Sequence, residues 1–519
     1  MSNSIYEAEY KPQVIEDYKD NPFIEALPQI VSSATDAVKM LSVKPPYDES
    51  ERELDTYYRL HCTMRLSRYF QPLYTHLDIE QRISRSIRQG YVSRNPMSPL
   101  YVERIRKCNE AVKNKGIAKT DFRGVRSTAM GFTMIGMSGV GKTTAVERVL
   151  SHYPQCITHT NYKGNPFYIK QIVWMKLDCP YDGSIKGLCL SFFNELDRIL
   201  DTDYSDIFIA SRYTVDTMLI KMSHLASTHG LGLLVIDEIQ HLSQAKSGGS
   251  EKMLNFFVTL VNTIGVPVIL IGTSKALPIL QSEFRQARRG SGQGDLIWEH
   301  LKNDDSWEIM LSTMWKYQWT KEKSPLTEEI KDVLYDETQG IIDLAVKLYA
   351  ISQLKAIYDG TEKITAKIIR DSAAESLRLV KPMIAALRSG NPKELIKYED
   401  IRPISIEEHM SKYIRNISVP EIPAKQITLE EQAILKLIDL GFNAKESQKY
   451  VKKVLQSKKN GMDVNYVVKK ALKTLFDTEM EISSTEADIA ENDLRNAVKG
   501  DSYDFLKNVG VIAGENDEW

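Results

Sequence analysis

The stretch Gly136–Leu150, GMSGVGKTTAVERVL, decides the fold. Gly136, Gly141, Lys142 and Thr143 fill the four constrained positions of the phosphate-binding loop G-x-x-x-x-G-K-[ST]. By chance a chain of this length would match it roughly 0.02 times at ordinary residue usage. An apolar run, GFTMIGM (131–137), precedes the loop and a helix-forming run follows it. That order suits the physics: glycines let backbone N–H groups approach phosphate oxygens, and a helix N-terminus adds positive potential. Gly136, Met137, Ser138, Gly139, Val140, Gly141, Lys142, Thr143 and Thr144 are therefore expected to wrap the phosphates of ATP. Lys142 would reach the β and γ phosphates, and the Thr143 hydroxyl would ligate Mg²⁺.

Working outward, QIVWMKLD (171–178), LGLLVIDE (231–238), VPVILIGT (266–273) and SWEIMLS (306–312) read as further strands. The earlier runs are nearly continuous in apolar residues, as parallel strands covered on both faces are. Helical stretches lie between them, so the pattern predicts an α/β fold with an open, doubly wound parallel sheet. From about residue 321 strands give way to helices, SPLTEEIKDVLYDETQ and GIIDLAVKLYAISQLKAIYDG, a small all-helical appendage.

Three strand-end features complete a nucleotide site. Asp237 is placed to hold Mg²⁺ through its water shell, and Glu238 to polarise the attacking water as general base. Thr273, with Ser274, ends the next strand and brings a small hydroxyl toward the γ-phosphate. Arg285, Arg288 and Arg289, in SEFRQARRG (282–290), could project toward a neighbouring subunit's nucleotide and stabilise the transferring phosphoryl group.

Composition bounds the rest. At 519 residues the chain exceeds one compact core, and a net charge of −2 gives no global attraction to nucleic acid. The polar, acidic start and the lack of any apolar run near 18 residues predict a cytoplasmic protein with no membrane contact. The five cysteines form no C-x-x-C pair, which favours free thiols over zinc or disulfides. We divide the chain into a helical and basic N-terminal region (1–125), an α/β core (126–320), a helical lid (321–400), a proline-bearing linker (401–426), a small helical bundle (427–476) and an acidic tail (477–519). Arg104 to Arg126 carry a net of +6, and the residues from Asp477 onward a net of −9.

Strand-borne carboxylates, a polar strand end, a late arginine and a helical lid together resemble the AAA+ plan of P-loop NTPases. One departure stands out: Ile342 and Asp343 follow Gly340 where many such lids carry an arginine, and Lys347 is the nearest cation. More specifically, QIVWMKLDCPYDGSIKGLCLSFFNELD, LLVIDEIQHL, NTIGVPVILIGTSKA, FRQARRGSGQGDLIWEHL and KPMIAALRSGNPKELIKYEDI resemble the TnsC-type ATPases that select targets for large DNA transposons. The resemblance covers roughly 55 to 401. It implies an ATPase that oligomerises as a ring or helix on double-stranded DNA, meets a target-site selector protein and recruits and activates transposase subunits. It also turns attention to Lys186, in PYDGSIKG, and to Lys246 and Lys252, in SQAKSGGSEK, as contacts to the DNA backbone. Helicase loaders and other DNA-remodelling AAA+ ATPases are a more distant likeness, and a signalling NTPase switch without DNA is the alternative of another class. Residues 427–476, with LIDLGFNAKESQKYVKKVL, resemble the three-helix end domain of RuvA; a generic protein-binding bundle is the broader reading.

Overall fold

The computed structural model describes residues 5–99, 101, 103, 106, 127–210, 213–244, 249–259, 261, 265–278, 280, 293–390, 405–414, 428–456 and 463–482. Two compact units divide the chain, residues 1–417 and 418–519.

In the first unit the strands are β1 (Ile5–Glu7), β2 (Phe132–Gly136), β3 (Cys156–Tyr162), β4 (Asn165–Ile172), β5 (Trp174–Asp178), β6 (Leu233–Asp237), β7 (Val268–Gly272) and β8 (Asp295–Trp298). The helices used below are α1 (Thr56–Thr63), α2 (Tyr74–Val92), α3 (Lys142–Leu150), α4 (Ile185–Leu200), α5 (Val215–Thr228), α6 (Gly249–Thr259), α7 (Asp305–Met314), α8 (Glu328–Thr338), α9 (Ile342–Tyr358), α10 (Ala366–Ser376) and α11 (Lys381–Ser389).

Five strands form an all-parallel sheet in the order β5-β6-β7-β2-β8. Every residue of β2, β6 and β7 is buried, which explains why these strands read as unbroken apolar runs. Because the strands are parallel, their C-terminal ends share one edge, and the loops carrying Gly136–Thr144, Asp237–Glu238 and Thr273 emerge there. Ligands of open α/β sheets bind at this edge.

Two strand readings are corrected. SWEIMLS is helix α7, not a strand: Asp304 caps it by accepting from Ser306 N, and Trp307, Met310, Leu311 and Met314 share its buried face. The strand that borders β2 is instead β8, Asp295–Trp298. QIVWMKLD is not one strand either. The chain changes sheets at Val173, so Gln171 and Ile172 belong to an antiparallel hairpin of β3 and β4, and Trp174–Asp178 to the main sheet. β1 extends that hairpin as a parallel third strand, so the N-terminal region is not wholly helical.

The first hundred residues are tied to both the sheet and the following helices. From α2, Tyr91 donates to the Gly230 carbonyl at 2.7 Å, and just beyond the helix Arg94 donates to Leu231 O at 2.6 Å. From α1, the buried Arg59 guanidinium makes two 2.6 Å bonds to Glu362, in the turn between α9 and α10. One continuous apolar core runs from Phe23 and Ile83 through Met134 and Val146 to Trp319 and Tyr349.

Among its described residues the second unit has three helices, α12 (Leu429–Asp439), α13 (Ala444–Gln456) and α14 (Val464–Ile482), around Leu437, Val451, Val454 and Val467. Thr428 and Glu431 close α12 with a reciprocal capping box. Among the described residues no helix is long and apolar enough to cross a membrane.

Candidate nucleotide site

At the C-terminal edge of the sheet lies a cleft of about 670 Å³, floored by the loop after β2 and walled by β6, β7 and the start of α9. Gly136 ends β2 against β8; a Cβ there would sit 2.2 Å from the Trp298 carbonyl oxygen, so only glycine fits. Gly141 caps α3 at φ +99°, a left-handed conformation open to glycine at no steric cost. Together they turn the loop back over the helix N-terminus.

Lys142 is buried and donates to the carbonyls of Gly136 and Met137 at 2.8 and 2.6 Å, folding its ammonium over the loop. Thr143 Oγ1 donates to Asp237 Oδ2 at 2.7 Å, joining α3 to β6 at the position where a metal ligand pair is expected. The other Asp237 oxygen accepts from Glu238 N at 2.8 Å. Glu238 has φ +57°, a left-handed backbone that costs an ordinary residue roughly 1–2 kcal/mol. Such strain at the end of a buried strand aims the side chain at the cleft rather than along the chain direction.

Thr273 lies on the same wall, and its Oγ1 is buried without a hydrogen-bond partner among the described residues. A buried orphan hydroxyl is costly unless a ligand satisfies it. The donor set fits a magnesium-borne polyphosphate: one hydroxyl and one carboxylate oxygen side by side, with phosphates and water free to complete an oxygen shell.

Gln240 and Lys176 were not singled out from the sequence. The buried Gln240 amide donates to Glu238 Oε2 and accepts from Thr273 N at 3.1 Å, so one side chain joins the ends of β6 and β7. Lys176, on β5, lies 3.1 Å from Glu147, 3.2 Å from Asp178 and 3.5 Å from Asp237. Burial opposes its charge, but the Glu147 hydrogen bond and the surrounding carboxylates hold its ammonium well above the usual lysine range. A charged residue inside an apolar strand was the available signal.

The lid side is formed by α9. Asp343 N donates to Gly139 O at 3.3 Å, and Lys347 lines the cleft while paired with Asp343 at 2.7 Å. Of the remaining expected residues, Lys186 is exposed in the first turn of α4. Lys252, on α6, pairs with Asp216 at 2.6 Å. Arg285, Arg288, Arg289 and Lys246 lie outside the described residues, as does the tail from residue 483.

Residues 125–280 match the family model of an AAA domain, and residues 428–475 that of the RuvA C-terminal domain. No curated protein matches the chain. Among solved structures, the chain is similar to the Aeropyrum pernix ORC1 protein in complex with DNA (12% identity, 76% of this chain and 88% of that one, TM-score 0.34). It is also similar to Cdc6p from Pyrobaculum aerophilum (13%, 75% and 89%, 0.35) and to the Thermotoga maritima RuvB Holliday junction branch migration motor (11%, 62% and 89%, 0.29). The core is an AAA+ P-loop domain, and the second unit is a RuvA C-terminal-like helical domain.

Proposed function

We propose that this chain is an ATP-hydrolysing AAA+ regulator of DNA transposition, which oligomerises on target DNA and links a target-site selector to the transposase. The observation that carries the nucleotide chemistry is the convergence of Lys142, Thr143, Asp237, Glu238 and Thr273 on one cleft. The link to transposition rests on the resemblance of residues 55–401 to TnsC-type ATPases.

In this reading Lys142 leaves the loop carbonyls for the β and γ phosphates, and the helix α3 N-terminus adds its positive potential. Thr143 and Asp237 would hold Mg²⁺, which neutralises phosphate charge when bound. Glu238 accepts a proton from the attacking water, and the Thr273 hydroxyl donates to the γ-phosphate or to that water. Gln240 keeps these two groups in one frame. Arg288 and Arg289 complete the site of a neighbouring subunit. Lys186, Lys246 and Lys252 contact DNA phosphates without reading bases. Residues 1–125 face the target selector, and 477–519 recruit the transposase side. Hydrolysis then limits how long the assembly persists.

The test pairs two measurements: retention on duplex DNA with and without ATP, and strand transfer by a DDE transposase with and without this protein. ATP-dependent retention without any stimulation of strand transfer would leave a DNA-remodelling AAA+ protein and remove the transposition role.

A further inference from the structure

We infer that the second unit is a separate, nucleotide-independent binding surface for the phosphate backbone of duplex DNA. It goes beyond the ATP-dependent contact proposed above because it lies outside the AAA+ core. Lys445, Lys449, Lys452 and Lys453 are all exposed on α13. At 100° per residue they fall within an arc of about 100°, opposite the buried Ser447, Tyr450, Val451 and Val454. Lys469, Lys470 and Lys473 form a similar exposed stripe on α14, opposite Val467, Val468 and Ala471. Between Ala444 and Lys473 the only described acidic residues are Glu446 and Asp463.

These stripes are set against themselves. Lys445 and Lys449, Lys449 and Lys453, and Lys469 and Lys473 are four residues apart, where like charges repel along a helix. None of the seven lysines forms an ion pair with another described residue, whereas in the first unit Lys176, Lys323, Lys331 and Lys355 all do. Lys449 and Lys470 lie 5.6 and 5.9 Å from the Tyr450 and Tyr466 rings, contacts that leave their charge un-neutralised, and the repulsion that remains is removed when a polyanion covers the bundle.

The distribution of apolar residues argues for a nucleic-acid backbone over a protein partner. Protein interfaces are depleted in lysine and centre on apolar or aromatic anchors. Here the exposed Leu435, Ile438 and Leu440 lie on or just after α12, and the described residues of the α13 stripe include no exposed large apolar side chain; on α14 the exposed Tyr466 lies within the stripe, with Lys470 5.9 Å from its ring centre. The α13 stripe runs about 12 Å along the helix. Duplex DNA carries one charge per ~1.7 Å of its axis with both strands counted, so about seven phosphate charges lie within this length and roughly half of them on either strand.

The test uses the full chain with Lys445→Gln, Lys449→Gln, Lys452→Gln and Lys453→Gln combined, and a short duplex titrated without nucleotide over a salt series. Circular dichroism checks that the fold is kept. The expected result is a nucleotide-free affinity that falls at least tenfold, with a log–log salt slope shallower by about 3.6 units at 0.9 per lysine. No nucleotide-free binding by the wild type, or an unchanged slope in the variant, overturns the inference. Unchanged DNA binding with faster proteolysis of residues 483–519 assigns the lysines to the chain's own acidic end and equally overturns it. Adding ATP to the same titration reads the AAA+ contact separately, so the two can fail independently.

Discussion

Replacing Gln240 by alanine tests whether the ends of β6 and β7 act as one unit. The substitution removes a hydrogen bond to the Glu238 carboxylate and leaves the buried Thr273 N–H without its acceptor. A hydrogen bond to a charged group contributes about 1.5–3 kcal/mol, and each 1.4 kcal/mol is a factor of ten in rate. If that bond holds Glu238 in its water-activating position, kcat falls about 10- to 100-fold. Gln240 is not one of the residues lining the cleft, so KM for ATP stays within about threefold. Gln240→Glu keeps an acceptor for Thr273 N–H but sets a second carboxylate against Glu238, so it should lose kcat as well. Steady-state hydrolysis, with nucleotide affinity measured alongside, separates these effects. An unchanged or raised kcat in a folded Gln240→Ala protein would refute the reasoning, as would a change confined to KM.

Three further outcomes follow from the same geometry. Lys347→Ala removes the cation nearest the cleft on the lid side and should weaken ATP affinity more than ADP affinity; equal weakening of both would exclude a γ-phosphate contact. Burial depresses His76 and His159 to about 4, so each must take up its proton in the unfolded chain before it does in the folded one. Their contribution to stability is complete above pH ~6.5 and is lost as pH falls toward 4, up to about 3 kcal/mol each. Melting temperature should therefore drop across that window, and less so in a His76→Gln, His159→Gln protein; identical pH profiles would contradict this. Mixing an Arg288→Ala, Arg289→Ala subunit with a Lys142→Ala subunit should restore part of the ATPase activity, because one hybrid interface pairs an intact loop with intact arginines. No rescue at any ratio argues against action across an interface.

The parts of the fold legible in the sequence were those under the strongest local constraint. β2, β6 and β7 are buried on both faces, so their composition alone marks them. SWEIMLS misled because Trp307, Ile309 and Leu311 alternate like a strand within a window too short to expose the helical period. Ile309 is in fact 48% exposed, and Met310 and Met314 share the buried face. β8 is a short edge strand with only Trp298 fully buried, which leaves little periodic signal. The β3–β4 hairpin turns at Lys163 and Gly164, which both take positive φ as a tight hairpin turn requires, and of the two only the glycine marks that turn in the sequence. In the site, the loop and the paired acids were readable because their spacing in the chain is their spacing in space. Gln240 and Lys176 were not, since their importance comes from Thr273 and Glu147, which only the fold brings beside them.

The most direct test of the central claim is the dwell time of the protein on duplex DNA, wild type against Glu238→Gln, each with Mg·ATP and with Mg·ADP. Loss of the water-activating carboxylate should spare nucleotide binding while blocking turnover, so the variant should remain on DNA with ATP far longer than the wild type. Both should dissociate quickly with ADP. Equal dwell times for the two proteins, or retention indifferent to the nucleotide, would contradict the proposal that ATP hydrolysis at Glu238 sets the lifetime of the DNA-bound assembly.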